Sequence, residues 1–246
     1  MVEVLLRKLA HGALLTSREE DAVTRAVADV RDVPAHTDLI VEGEAPEFVH
    51  VILSGFACRY KLLPDGGRQI MAWLAPGDFC DLHVSILGHM DHCIATLSAS
   101  RVALIPRETA EQLALDLSAL TRAFWWATLV DEGVLREWLV NMGRRQAGKR
   151  IGHLFCELHA RLSAVGLADD DTMDFPLTQS DLADTVGLTP VHVNRVVRWL
   201  REAGLVTWKG RELRIDDVAR LRAFCDFDGN YLHLDTTPQN LTYVRM

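Results

Sequence analysis

The run that most constrains the fold extends from Pro176 to Leu205: P-L-T-Q-S-D-L-A-D-T-V-G-L-T-P-V-H-V-N-R-V-V-R-W-L-R-E-A-G-L. Thr178, with Asp181 three residues on, opens a short helix whose Leu182, Ala183 and Val186 share one side at helical spacing. Gly187 takes the left-handed conformation of a tight turn at least cost. Leu188 fills the corner, and Thr189-Pro190 is an N-cap with proline at the first helical position. A second helix therefore begins at Pro190.

In that second helix Val193, Val196, Val197 and Leu200 form one apolar stripe, and Val191, His192, Asn194, Arg195 and Arg198 project away from it. Two helices around a glycine turn, the second with a polar Arg/Asn/His face, make a helix-turn-helix: the stripe holds the second helix down and the polar face is free for a major groove. Arg195 has the fork geometry for guanine O6 and N7, and Asn194 that for adenine N6 and N7. Val191 and His192 complete the base-reading set. After Gly204, Leu205-Val206 and Leu213-Arg214-Ile215 flank the turn Lys209-Gly210-Arg211, a hairpin tipped with cations. The unit is a winged helix-turn-helix, with Gln179, Ser180 and Thr189 at helix N-termini and Arg198, Lys209 and Arg211 as candidate phosphate contacts.

A net charge of −8 fits a DNA binder only when it is divided along the chain. Residues 1–143 carry 12 Lys/Arg against 20 Asp/Glu, residues 144–214 carry 11 against 9, and residues 215–246 carry 3 against 5. Asp169, Asp170, Asp171 and Asp174 form a loop that can face away from DNA. That leaves Arg144, Arg145, Lys149, Arg150, Arg195, Arg198, Lys209, Arg211 and Arg214 as the expected footprint. With so few cations, affinity should depend on dimeric contact and on salt.

Ahead of this unit the pattern changes twice. Residues 3–30 read as an amphipathic helix containing a Ser17–Glu20 capping box and ended by Pro34. Between Asp38 and Leu104, short apolar segments alternate with glycine turns, as in a β-sandwich or jelly roll. Helical spacing then returns over about residues 107–145, through Leu113, Leu117, Leu120, Phe124, Leu135, Trp138 and Met142. So long a helix either packs on its own barrel or pairs with its copy in a two-fold dimer, and a palindromic site favours the copy. Gln146-Ala147-Gly148 is a candidate hinge, residues 149–164 form the next helix, 216–224 a last one behind an acidic cap, and 226–246 a tail without a functional reading.

The expected class is α+β: residues 1–145 a sensor domain with the dimerisation helix, residues 146–225 a winged helix-turn-helix domain. Cys58, Cys80, Cys93, Cys156 and Cys225 include no C-x-x-C pair, and no apolar run suffices to span a bilayer. The expectation is reduced thiols in a soluble, cytoplasmic protein that does not engage membranes. No nucleophile-base-orienter set, Gly-rich phosphate loop or H-E-x-x-H appears, so an enzyme is not expected.

This order of parts resembles the Crp/Fnr superfamily of bacterial transcription regulators over about residues 35–215. The resemblance rests on V-E-G-E with Gly43, V-I-L-S-G with Gly55, P-G-D-F at Pro76 to Phe79, and the helix-turn-helix run quoted above. It implies a homodimer on palindromic double-stranded DNA, a cyclic-nucleotide-binding-like jelly roll as sensor, and RNA polymerase as a partner if the protein activates transcription. Arg195 stands where the family keeps its guanine-reading arginine. Val191 replaces a glutamate frequent there, so a cytosine contact gives way to one with a thymine methyl.

The nucleotide-binding members supply a glutamate and an Arg-Ser or Arg-Thr pair after G-D-F. Here Leu82 falls at the glutamate position and His92-Cys93 near the Arg-Ser place, so a cyclic phosphate would lack a fixed guanidinium and cyclic AMP is not expected. An iron–sulfur cluster is not expected either, since no cysteine precedes Cys58. Cys80, His83, His89, His92 and Cys93 crowd the same cassette. Pocket-rim histidines and core cysteines explain them best; no cofactor or metal is expected, while haem or zinc stays open. The sensor pocket is expected to draw on Cys80, Leu82, His83, His92, Cys93 and Leu135, and to take an unidentified small-molecule effector. The alternative reading is a ligand- or metal-sensing protein whose winged helix docks a protein partner.

Overall fold

The computed structural model of the chain describes residues 2–235. Helices α1 (Glu3–Ala10) and α2 (Ser17–Ala26) lead into strands β1 (Asp29–Val33), β2 (Asp38–Ile40), β3 (Phe48–Ser54), β4 (Ala57–Leu62) and β5 (Arg68–Leu74). The short helix α3 (Val84–Leu87) and strands β6 (Cys93–Thr96) and β7 (Ser100–Pro106) follow, then helices α4 (Arg107–Asp116), α5 (Ser118–Arg144) and α6 (Ala147–Ala164). The remainder is β8 (Thr172–Asp174), α7 (Gln179–Val186), α8 (Pro190–Glu202), β9 (Val206–Lys209), β10 (Glu212–Ile215), α9 (Val218–Cys225) and one 3-10 turn over Gly229–Leu232. Helix, β-sandwich, long helix and winged helix-turn-helix thus stand in the expected order.

The N-terminal domain packs a three-stranded antiparallel sheet, β1-β7-β3, against a four-stranded one, β2-β6-β4-β5. Ile52, Val102 and Leu104 from the first sheet meet Ile40, Ala57, Leu74 and Ile94 from the second in one buried cluster. The turn between β3 and β4 needs glycine: Gly55 has φ +78°, and a Cβ there would lie 2.4 Å from the Ala99 carbonyl.

Two helical expectations change. Residues 3–30 form two helices and a strand. The capping box sits one residue earlier than expected, with the Thr16 hydroxyl accepting from the Glu19 N–H at 3.4 Å and the Glu19 carboxylate accepting from the Thr16 N–H at 2.8 Å. The helix expected over 107–145 breaks at Leu117, which is extended (φ −126°, ψ 98°), so α5 alone is the long element.

The C-terminal domain follows its local signals closely. Thr178 and Asp181 form a capping box, Gly187 is left-handed at φ +64°, and the Thr189 hydroxyl accepts from the His192 N–H. The wing is a three-stranded sheet, β8-β10-β9, because Thr172–Asp174, part of the expected acidic loop, adds an edge strand to the hairpin. The domain also runs past residue 225. Phe227 and Leu232 are buried, and the Tyr231 hydroxyl donates to Glu157 at 2.9 Å, so residues 226–235 pack onto α5 and α6 and are no tail. The rest of the expected tail, residues 236–246, lies outside the described residues.

The two domains touch through buried and part-buried polar contacts. Arg68 of β5 reaches Asp181 at 3.0 Å and Asp184 at 2.8 Å on α7, and the Trp73 indole N–H donates to the Thr185 hydroxyl at 2.9 Å. Asp78, in the turn after β5, receives Lys8 of α1 at 2.9 Å and is paired with Arg161 of α6. The first helix of the helix-turn-helix therefore rests on the sandwich, and the second faces away from it.

Candidate nucleic-acid interface and sensor cavity

On α8 the stripe divides as its spacing demands. Val193, Val197 and Leu200 are buried and Val196 is half-buried against the domain core, whereas Val191, His192, Asn194, Arg195 and Arg198 are exposed together. The Asn194 amide donates to the Gln179 side-chain oxygen at 3.0 Å, which holds a base-reading candidate against the start of α7. Ser180 and Thr189 are exposed at the two helix N-termini, and Lys209 at the wing tip. Among the described residues Arg195, Arg198 and Lys209 enter no ion pair, so their charges are available to phosphates and base edges.

Arg144 is likewise exposed without an ion pair among the described residues, whereas the other cations of the expected footprint are already engaged. Arg211 is paired with Asp174 at 2.7 Å and Arg214 with Asp216 at 2.8 Å. At the hinge Arg145 binds Glu137 at 2.7 Å, Lys149 binds Asp226 at 2.6 Å, and Arg150 donates to the carbonyls of Met142, Arg145 and Val186. These three cations fasten α5 to α6 and α9, and Lys149 also lines the groove that His192 and Arg195 border. Charge counting sees the cations but not their partners.

A second site lies between the sandwich and α5. It is a cavity of about 380 Å³, large enough for a small ligand, lined by Leu82, His83, His92 and Leu135 as expected and also by Lys8, Arg59, Asp78, Asp91, Asp131 and Glu132. Cys80 and Cys93 do not line it. Cys80 is wholly buried in the cluster between the two sheets, and the Cys93 sulfur accepts from the Glu42 N–H at 3.3 Å beneath β2. Burial raises the Cys80 thiol well above its ordinary pKa, which keeps it protonated and inert. His89 is exposed on the cassette and is not a lining residue.

Arg59 is the residue that sequence reasoning missed. It projects from β4, donates to the carbonyls of Cys80 at 3.1 Å and Phe79 at 2.9 Å, and pairs with Asp131 of α5 at 2.8 Å. Burial works against its charge, but Asp131 outweighs burial and raises its pKa. The cavity thus has a fixed guanidinium after all, supplied by a strand and not by the cassette, with its charge already answered by a carboxylate. The only signal in sequence is one arginine inside an otherwise buried strand, A-C-R-Y-K-L. The pair also ties the sandwich to α5 across the cavity.

Comparison with known proteins places both halves. A profile of the cyclic nucleotide-binding domain matches residues 30–116, and one of the Crp-like helix-turn-helix domain matches residues 149–224. The chain is 28% identical over 219 residues to "Transcriptional activator protein FnrL" of Cereibacter sphaeroides, covering 86% of this chain and 87% of that protein. It is 28% identical over 172 residues to "Nitrogen fixation regulation protein FixK" of Bradyrhizobium diazoefficiens, with 70% and 71% covered. Among solved structures, FixK2 from Bradyrhizobium japonicum superposes with a TM-score of 0.72 at 26% identity, over 80% of this chain and 96% of that one.

Proposed function

Since the chain belongs to the Crp/Fnr family of transcription regulators, and is accordingly a DNA-binding regulator and not an enzyme, we propose that it works as a homodimer on a two-fold palindromic operator. The observation that carries this reading is the face of α8: five polar or small apolar side chains stand exposed directly opposite a fully packed stripe. Arg195, Asn194, His192 and Val191 read bases, Arg198 and Lys209 hold phosphates, and Gln179, Ser180 and Thr189 fix the register of the two helices on the backbone. Arg211 reaches phosphate only by leaving Asp174.

The dimer follows from α5. Trp125 (62% exposed), Leu129 (51%) and Leu139 (74%) stand exposed on one face of it, Leu129 one turn beyond Trp125 and Leu139 ten residues further on. Leu135 lies on the same stretch and also lines the cavity, so a second α5 packed along the seam would close over the sensor site. An isologous contact of this kind gives the two-fold axis that a palindrome requires. Among the described residues no helix is long and apolar enough to cross a membrane.

The proposed signal acts at the cavity. Occupancy there would bear on Arg59 and Asp131, hence on α5 and the dimer axis, and on Asp78, hence on Arg161 of the DNA-binding domain. Cyclic AMP is a poor candidate, because the one lining guanidinium, Arg59, is already paired with Asp131. Nor does the cysteine set fit an iron–sulfur cluster: among the described residues no group of four thiols comes together. The relatives' names describe activators, and activation through contact with RNA polymerase belongs to the same proposal.

The test is selection of genomic fragments by the purified protein at physiological salt, followed by footprinting. Enrichment of a palindrome with half-sites one helical turn apart is the expected result. Protection without a shared sequence, at any salt, would contradict it.

A further inference from the structure

His83 and His92 face one another across the cavity wall with their ring centroids 5.6 Å apart. The Nε2 atom of each is buried and meets no hydrogen-bond partner. His92 is only 8% exposed. Two unsatisfied imidazole nitrogens side by side are a costly arrangement unless something occupies the space between them.

Asp91 explains which atom is left over. Its carboxylate lies 2.6 Å from Nδ1 of His92, so Nδ1 carries the proton and Nε2 keeps its lone pair. That is the second partner that metal-bound histidines ordinarily show: a carboxylate on one ring nitrogen, which fixes the tautomer and makes the other a better donor. One ligand atom from each of His83, Asp91 and His92 falls within 4.8 Å of the others, so the three groups share one small volume of the cavity wall.

The cavity's charge agrees. Asp78, Asp131 and Glu132 are each paired with a Lys or Arg, whereas the Asp91 carboxylate beside the histidines meets only the His92 imidazole among the described residues, which favours a cation at that point. The thiols that accompany these histidines in sequence take no part, since Cys80 and Cys93 are turned into the core and His89 points to solvent. From these observations we propose that His83 and His92, the latter held by Asp91 on its Nδ1, form a binding site for a divalent first-row transition-metal ion of the zinc or ferrous class. Imidazole donors select such ions over calcium or magnesium, and two protein ligands leave the remaining coordination positions open to the cavity. The site goes beyond the regulatory reading, and its test needs no DNA.

The experiment is titration of chelator-stripped, tag-free protein with Zn(II) against a chromogenic competitor, repeated with Co(II) to read coordination from its visible absorption. One equivalent per chain is expected, with a visible band of a four- or five-coordinate nitrogen–oxygen site. His83→Ala and His92→Ala should each weaken binding at least 100-fold, and Asp91→Asn by roughly 10- to 100-fold. The neighbouring variant His89→Ala should bind as the parent does. His83→Gln, which keeps most of the side-chain volume, serves if an alanine variant loses the native circular dichroism. Absence of a stoichiometric site in the parent, or undiminished binding in folded His83→Gln and His92→Ala chains, overturns the proposal, as does loss in His89→Ala equal to that in His83→Ala.

Discussion

Arg161, in the helix that opens the DNA-binding domain, forms a buried ion pair with Asp78, in the turn at the edge of the sensor cavity. Burial alone would push the Asp78 carboxyl up, but Lys8 and Arg161 hold it far below the carboxylate range. Arg161 also pairs with Glu157 at 3.2 Å and donates to the Trp73 carbonyl at 2.9 Å. Three segments distant in sequence, namely α1, the turn after β5, and α6, therefore meet on one carboxylate. Any rearrangement that separates the two domains has to move all three.

Replacing Asp78 with Asn tests that junction. It leaves Lys8 and Arg161 buried with a counter-charge missing, which should cost about 3–5 kcal/mol in urea unfolding. The double variant Asp78→Asn/Arg161→Met should recover part of the loss, because the stranded guanidinium goes with its partner. Additive effects of the two substitutions would show that the residues do not act as a pair.

The pH dependence of stability should carry the mark of His153. This residue is buried in α6, stacked on Tyr231 at 6.1 Å and edge-on to Phe227 at 5.0 Å. Glu137 lies 3.2 Å from it but outside hydrogen-bonding geometry, and already pairs with Arg145. Burial, and after it the charge of Arg145, push its pKa down to about 3 from an ordinary 6.5. The unfolded chain takes up a proton that the native chain refuses, so this contribution is complete above pH 6.5 and is lost as pH falls toward 3. The slope is about 1.4 kcal/mol per pH unit. His153→Phe should therefore lose less stability than the parent between pH 6.5 and 4.5, by roughly 2–3 kcal/mol. His83 and His92 are present in both proteins and cancel. Parallel curves would show that His153 is protonated in the folded state.

Legibility in the sequence follows the range of the forces. Capping box, left-handed glycine, N-terminal proline and apolar stripe each act within a few residues, and the helix-turn-helix reads correctly residue by residue. The break at Leu117 is invisible because Leu113, Leu117, Leu120 and Phe124 keep helical spacing through it, although Leu117 itself is extended. The cavity is only half legible. Arg59 and Asp131 meet across 72 positions of chain, and which of His83, Cys80, His92 and Cys93 faces inward depends on how the cassette folds back on β3 and β4. Arg145 and Arg150 look like free cations until their carboxylate and carbonyl partners are placed.

Base reading and phosphate binding separate by substitution on α8. Arg195→Ala should cost about 1–3 kcal/mol on the selected operator and relax preference at one base pair per half-site. Arg198→Ala should weaken operator and random DNA alike and lower the salt slope by about one unit per half-site. Both variants leave the packed stripe intact, so folding is not at issue. Equal loss on operator and random DNA for Arg195→Ala would remove it from the base-reading set.

The dimer seam is tested by a charge placed on it. Leu139 is exposed on α5 and makes no core contact, so Leu139→Glu should leave the monomer folded while putting carboxylates against an apolar partner surface on both sides of the axis. Sedimentation should show monomer at micromolar concentration. Affinity for the full palindrome should then fall by roughly 100-fold or more, because each half-site loses the effective concentration supplied by its twin. Leu115→Glu is the control. Leu115 is equally exposed but sits on α4, beyond the break at Leu117, and should remain dimeric with operator affinity unchanged. If Leu139→Glu stays dimeric while Leu115→Glu dissociates, the two-fold axis runs along α4, and closure of the cavity by a second α5 is lost with it.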